Sequence, residues 1–161
     1  MYFSTDYSSP LGEILIVSDG EAICGLWFYN QKYFKSTVDD DLIKKHDLDI
    51  FKKATKWLDD YFDGLNPEID FKLNPQGSDF RLMVWRILTE IPYGETITYG
   101  EIASKISPTM SAQAVGSAVG HNPIAILIPC HRVMGADGKL TGYAGGFERK
   151  LELLKLEMVR I

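Results

Sequence analysis

At 161 residues the chain has room for one compact domain or two small lobes, and its 45% hydrophobic, 12% aromatic and 24% charged residues place it among folded globular proteins rather than disordered or fibrous ones. The longest apolar run, Ile124–Ile128, is far short of the ~18 residues a membrane span needs, and the first residues lack the basic and apolar regions of a secretory signal; a cytoplasmic protein with no membrane contact is expected. The net charge of −5 speaks against a polyanionic partner only as an average: residues 1–77 hold 8 Lys against 14 Asp and Glu, whereas Ser78 onward holds 9 Lys and Arg against 8. Such an asymmetry fits either a polyanion partner for the second half or a solvated acidic face on the first.

The apolar runs Glu13–Val17 and Ile23–Phe28 flank the turn dipeptide Asp19-Gly20, which predicts an antiparallel hairpin. In Leu42–Gly64, the residues Phe51, Ala54, Trp57, Leu58, Tyr61, Phe62 and Leu65 recur at helical spacing. One helix on a small sheet is expected, closed by Gly64 and Pro67. Asn74-Pro75-Gln76-Gly77 is turn-forming punctuation and sets the boundary between lobes 1–77 and 78–161.

Beyond it, Ser78 or Asp79 caps a helix carrying Phe80, Val84, Ile87, Leu88 and Ile91, ended by Pro92. After a Tyr93-Gly94 turn, Thr98 caps a second helix with Ile102, Ala103 and Ile106, and Ser111 a third running to about His121. Two short helices across a tight turn suggest a helix-turn-helix, a pairing that all-helical lobes also use. The third helix is made of small residues, Ala112, Ala114, Gly116, Ser117, Ala118 and Gly120, and each glycine costs it ~1 kcal/mol against alanine. Either a neighbouring helix packs tightly on it or its backbone approaches a phosphate chain.

Two cysteines, Cys24 and Cys130, allow one bridge at most, and with His46, His121 and His131 they offer no paired short spacings of a metal site. Neither a metal nor another cofactor is expected. Cys24 lies inside an apolar hairpin strand and reads as packing. Cys130 follows the strand-like Ile124–Ile128 and sits in Pro129-Cys130-His131-Arg132, where packing competes with a reactive thiol whose pKa is lowered by a neighbouring His, Arg or carboxylate network. Val133–Leu140 contains the Asp137-Gly138 turn of another hairpin, and Gly142, Gly145 and Gly146 around Tyr143 make a mobile or closely approached loop. A last helix, Phe147 to about Val159, places Leu151, Leu154 and Met158 on one face and Glu157 on its flank. Glu157 is either a solvated carboxylate or the group that orients His131.

Ile128-Pro129-Cys130-His131-Arg132-Val133 resembles the active-site signature of the O6-alkylguanine-DNA alkyltransferases, also called methylated-DNA-protein-cysteine methyltransferases. Ile91-Pro92-Tyr93-Gly94, Thr98-Tyr99-Gly100-Glu101, Ala114-Val115-Gly116, Asn122-Pro123 and Gly142-Tyr143-Ala144-Gly145-Gly146 ahead of Leu153, Leu154 and Glu157 follow the order and spacing of that family. The resemblance is strong over residues 78–158. In residues 1–77 it is confined to a hairpin-and-helix pattern like the family's ribonuclease-H-like lobe. It implies an α+β fold with a mainly helical second lobe holding a helix-turn-helix, and a monomer that acts on double-stranded DNA.

The implied activity is direct reversal: an O6-alkylguanine is flipped from the duplex and its alkyl group passes irreversibly to Cys130, without a cofactor. The resemblance assigns His131 as base through a water, Glu157 as the acceptor fixing its tautomer, Tyr99 as proton donor toward the purine, and Asn122 as the tie between the helix-turn-helix and the cysteine. Contacts to DNA are implied for Ala112, Gln113, Ala114, Gly116, Arg132, Tyr143, Ala144 and Gly145. Two positions depart from the family: Gln113 stands where an arginine enters the base stack, and Ala144 where some relatives place a serine. The chemistry agrees with the residue types, since displacement at an alkyl carbon needs a soft nucleophile and a protonated leaving group, and a thioether product ends the protein's activity after one event. An alkylated-base sensor without transfer and a Cys-His-Glu thiol hydrolase are the competing readings.

Overall fold

The computed structural model describes residues 1–38 and 41–159, so Asp39 and Asp40, and the last two positions of the second predicted lobe, Arg160 and Ile161, lie outside the described residues. The chain forms two compact units: Met1–Gln76 with Pro123–Ala125, and Gly77–Asn122 with the chain from Ile126 onward. The architecture is mixed α+β.

In the first unit, strands β1 (Tyr2–Ser9), β2 (Gly12–Ser18), β3 (Ala22–Phe28), β4 (Leu42–Lys44) and β5 (Lys72–Leu73) form one sheet in the order β4-β1-β2-β3-β5. The β2-β3 hairpin turns at Asp19-Gly20, where Asp19 Oδ1 accepts hydrogen bonds from the amides of Glu21 and Ala22, both at 2.9 Å. Leu15, Val17 and Trp27 gather Tyr2, Phe34, Val38 and Leu42 on one face of the sheet, and strand alternation leaves Ile14, Ile16, Leu26 and Phe28 for the other. Helix α1 (Asp49–Phe62) buries Ile50, Phe51, Ala54, Trp57, Leu58 and Tyr61 along one stripe and packs on the first three strands. It starts at Asp49, not at Leu42 as expected, because Leu42–Lys44 pair in parallel with Tyr2–Ser4.

The second unit starts with α2 (Asp79–Thr89), capped by the Ser78 hydroxyl, which accepts from the Arg81 amide at 3.2 Å. The short strand β6 (Ile97–Thr98) leads into α3 (Tyr99–Ile106), whose entry is a full capping box: Thr98 Oγ1 accepts from the Glu101 amide and the Glu101 carboxylate accepts from the Thr98 amide. Helix α4 (Ala112–Gly120) is capped by Ser111 and held to α2 by the Trp85 indole, which donates to the Ala118 carbonyl at 2.8 Å.

Two expectations are corrected here. The apolar run Ile124–Ile128 is a buried turn rather than a strand: only Ile124 makes a bridge, to Leu26, and Ile126 takes φ 68°, a conformation β-branched residues avoid. An apolar run of that length reads equally as a buried strand or a buried turn. The hairpin expected over Val133–Leu140 is also absent. Strand β7 (Val133–Met134) pairs in parallel with β6, and the chain turns back through Asp137 and Gly138, both at positive φ, closing with Gly135 N donating to Lys139 O at 2.8 Å. Helix α5 (Phe147–Leu156) ends the unit. No described helix is long and apolar enough to cross a membrane.

Candidate active site

Cys130 opens a single 3-10 turn, Cys130–Arg132, directly after Pro129. This turn buries the side chains of Cys130 and His131 and directs those of His131 and Arg132 to one carboxylate. His131 is fully buried and its Nε2 lies 2.6 Å from Glu157 Oε2, with both side chains shielded from solvent. Glu157 is the residue at which α5 stops, so the 26 residues between the partners are bridged by the return of that helix onto the cysteine turn. Its carboxylate is shared: Arg132 Nε donates to Oε1 at 2.8 Å and Nη2 to Oε2 at 3.1 Å, and the Gly94 amide donates to Oε1 at 3.2 Å. Gly94 sits at φ 80°, and a β-carbon there would press on the Glu157 carbonyl at 3.3 Å, so the turn before β6 requires glycine.

The pattern of burial fixes which proton sits where. With Nε2 against a carboxylate, the neutral imidazole carries its proton on Nε2 and exposes a lone pair on Nδ1, and Nδ1 is buried without a hydrogen-bond partner among the described residues. Burial pushes the His131 pKa below its ordinary value; the Glu157 contact opposes this, while the charges of Arg132 and Lys150 reinforce it. The Cys130 thiol is pushed up by its burial, against a hydrogen bond from Asn122 and the positive charge of Lys150. The expectation of a lowered cysteine pKa is therefore corrected: neighbours that favour the thiolate are present, but burial outweighs them and the shift is upward. Asn122, next to the end of α4, also donates to the Ile128 carbonyl at 2.8 Å, so it holds the backbone before the cysteine as well as the sulfur.

Beside this network lies a cavity of about 510 Å³ bounded by Tyr99, Ala112, Gln113, Gly116, Thr141 and Gly142, within the range of small-molecule sites. Cys130 is not part of its wall. Tyr99 stands in its wall: its ring faces Gly116, its hydroxyl donates to the Gly142 carbonyl at 3.3 Å, and its pKa is raised by burial, against a hydrogen bond with Thr141. A β-carbon at Gly116 would meet the Tyr99 ring at 3.8 Å, an ordinary contact, and one at Gly120 would meet nothing, so close packing does not account for these two glycines. Ala112 and Gln113 are exposed at the cavity rim, whereas Ala114 is half-buried and outside the lining.

In the glycine loop, the Tyr143 hydroxyl is buried without a partner among the described residues, and its pKa is raised well above the ordinary value by burial. Gly145 lies so close to the Tyr143 ring that a β-carbon would stand 2.5 Å from it. Ala144 is half-buried.

Arg132, expected to contact DNA, gives Nε and Nη2 to Glu157 and Nη1 to the Ile91 carbonyl at 2.7 Å, with its guanidinium over the Tyr93 ring at 5.8 Å. The buried face of α5 differs from the expected one. Met158 is 86% exposed, and the buried stripe is Lys150, Leu153, Leu154 and Glu157. Lys150, missed in the sequence, is fully buried and donates to the carbonyls of Val133 at 2.5 Å and Thr141 at 2.8 Å; burial lowers its pKa to about 8. The signal was there, since 150, 153, 154 and 157 follow the i, i+3, i+4, i+7 spacing of one helix face, but charged residues at both ends made that stripe read as surface.

The chain is thus a two-unit α+β protein with a buried cysteine directly before a buried His-Glu pair, and with a cavity of small-molecule size in the same unit. Comparison with known proteins makes the class specific. Residues 1–75 match the family model described as 6-O-methylguanine DNA methyltransferase, ribonuclease-like domain, and residues 79–159 match 6-O-methylguanine DNA methyltransferase, DNA binding domain. The methylated-DNA–protein-cysteine methyltransferase of Methanosarcina acetivorans is 46% identical over 98% of both chains. The crystal structure of the Mycobacterium tuberculosis O6-methylguanine methyltransferase matches with a TM-score of 0.86 at 44% identity, over 98% of this chain and 93% of that one. A structure of M. tuberculosis OGT in complex with DNA matches with a TM-score of 0.84 at 45% identity, over 97% and 91%. The chain belongs to the 6-O-methylguanine DNA methyltransferase family.

Proposed function

We propose that this chain is a direct-reversal DNA repair protein that takes the alkyl group of O6-alkylguanine in double-stranded DNA onto Cys130, once per molecule. The observation that carries the reading is the buried His131–Glu157 contact of 2.6 Å on the residue directly after Cys130, within one 3-10 turn. The DNA bound to the M. tuberculosis relative supports duplex DNA as the partner here. Helices α3 and α4 are the helix-turn-helix that meets the DNA, with Gln113 at the exposed start of α4 positioned to replace the flipped base. The two units divide the work, the residues from 78 onward carrying both DNA binding and transfer. A monomer suffices, because every group invoked comes from one chain.

The chemistry follows from the protonation states. The Cys130 thiol passes its proton to His131 Nδ1 through a water, as the sulfur forms a bond to the alkyl carbon and the carbon–oxygen bond breaks. That bond's electron pair stays with the guanine, and Tyr99 releases its hydroxyl from Gly142 to protonate the purine, recovering a proton from His131 afterwards. One proton leaves the thiol and one is gained by guanine, so the sum balances. The resulting thioether has no route back to a free thiol, and the protein is spent. Burial pushes the Cys130 thiol up, so its deprotonation is assigned to the reaction itself, with the buried lone pair of His131 Nδ1 as the base.

Incubating the protein with a duplex containing one O6-methylguanine tests this by reading both partners. Transfer predicts unmodified guanine in the DNA and one added methyl on the protein. Tight binding with no change in either would make it a sensor, and repeated ester turnover a hydrolase.

A further inference from the structure

We infer that Arg132 is a positioning residue that keeps His131 a neutral base by neutralising the Glu157 carboxylate that the two side chains share. This rests on the reading of His131 as the base for Cys130. The inference stands on how one carboxylate is divided. Glu157 is 2% exposed, and its two oxygens receive His131 Nε2, two nitrogens of Arg132 and the Gly94 amide. A buried carboxylate facing a histidine alone raises the pKa of that ring and so favours the imidazolium. An imidazolium carries a proton on Nδ1 and accepts none from a thiol. The bidentate fork of Arg132 supplies the compensating charge permanently, since guanidinium does not titrate in the working range.

Arg132 is itself fixed. Its remaining nitrogen Nη1 donates to the Ile91 carbonyl at 2.7 Å and its plane lies over Tyr93. Among the described residues, Arg132 and Lys150 bear on His131 besides Glu157, and Tyr93 and Tyr143 lie within electrostatic reach of Glu157. Helix α2, packed on the cysteine turn, turns Val84, Trp85 and Leu88 inward and adds no buried charge. Of the two cations acting on His131, Arg132 alone touches its carboxylate partner, while Lys150 is bound to backbone carbonyls. The direction of the Arg132 effect on His131, which is to lower its pKa, agrees.

The test is the pH dependence of single-turnover transfer at saturating DNA, together with nitrogen NMR of the His131 ring in unreacted protein. In the wild type the rate falls on the acid side as His131 takes up a proton, below the ordinary histidine range. Arg132→Met removes the compensating charge, so the acid limb and the NMR titration of His131 move together to higher pH, by roughly one unit or more, the low end for a close charge. Arg132→Lys retains charge without the fork and restores part of the shift; it also serves if the methionine variant does not fold, through a smaller displacement in the same direction. A uniform loss of rate at all pH values with an unmoved His131 titration overturns the inference and leaves Arg132 a purely structural clamp. A displaced NMR titration with an unmoved rate profile upholds the effect of Arg132 on the ring but overturns the assignment of His131 as base.

Discussion

The two units treat ionisable groups in opposite ways. In the first, carboxylates meet their partners at the surface: Tyr7 donates to Asp59 at 2.6 Å, Tyr29 to Asp6, and Lys56 pairs with Asp60, while the interior is almost wholly apolar. In the second, Asn122, His131, Lys150 and Glu157 are all buried. Burying charge costs stability unless every group is paired, so such a cluster marks a place where chemistry, not folding, set the composition. The two cysteines make the same contrast at single-atom scale. Both are buried, but the Cys24 thiol is pushed up to about 11 by burial and by the negative charge of Asp19, whereas the groups around Cys130, Asn122 and Lys150, oppose burial. Depth does not separate a packing cysteine from a reactive one; the sign of its neighbours does.

The contrast between carboxylates carries the largest expected effect. Glu157→Gln keeps the size of the side chain but loses the charge that holds the His131 tautomer. Alkyl transfer should slow by roughly 10- to 100-fold, short of the loss of a directly acting base, with DNA affinity near wild type. Asp59→Asn, an equally conservative change at the exposed Tyr7 pair, should leave transfer unchanged and shift stability by less than about 1 kcal/mol. Equal losses in binding and transfer for Glu157→Gln would make it structural. Single-turnover rates and binding isotherms on the same preparations decide this.

A smaller effect separates the thiols. Removing the cation with Lys150→Met raises the Cys130 pKa further and lowers its rate of labelling by iodoacetamide; removing the anion with Asp19→Asn lowers the Cys24 pKa and raises its rate. Changes in opposite directions, each about severalfold for loss of one neighbouring charge, are the expected result. Lys150→Met also leaves the Val133 and Thr141 carbonyls without their donor, so a drop in stability of about 1–3 kcal/mol accompanies it.

The smallest effect concerns the exposed rim. Gln113→Arg adds a guanidinium that stacks on bases and gains from phosphates, so duplex substrate should be bound more tightly and repaired severalfold faster at subsaturating protein. The free modified base needs no flipping and should react as before. An equal change with both substrates would place Gln113 outside the base stack.

Much of this fold was legible in local chemistry. Ser78, Thr98 and Ser111 each cap the helix that follows, and Asp19-Gly20 sets the hairpin, because caps and turns are decided by residues close in sequence. Strands β4 and β5 escaped notice because each is held by parallel pairing with a distant strand, β1 and β3 respectively, and a short parallel edge has no local signature. Within the site, the adjacency of Cys130, His131 and Arg132 was plain, but their destinations were not. Arg132 is paired with the Glu157 carboxylate, and the cysteine pKa goes up rather than down. Both outcomes depend on burial, which residue types alone do not state. Lys150 was hidden for the same reason: a lysine on a helix is ordinarily a surface residue.

The central claim is that one buried thiol accepts the alkyl group while the other does not. It is tested most directly by reacting the protein with excess duplex containing O6-methylguanine, digesting it, and mapping the methyl group by peptide mass. The account predicts a single methyl on the peptide holding Cys130, none on that holding Cys24, and one guanine restored per protein chain. Methyl on Cys24, or lesions lost in excess of protein with Cys130 unmodified, would contradict it.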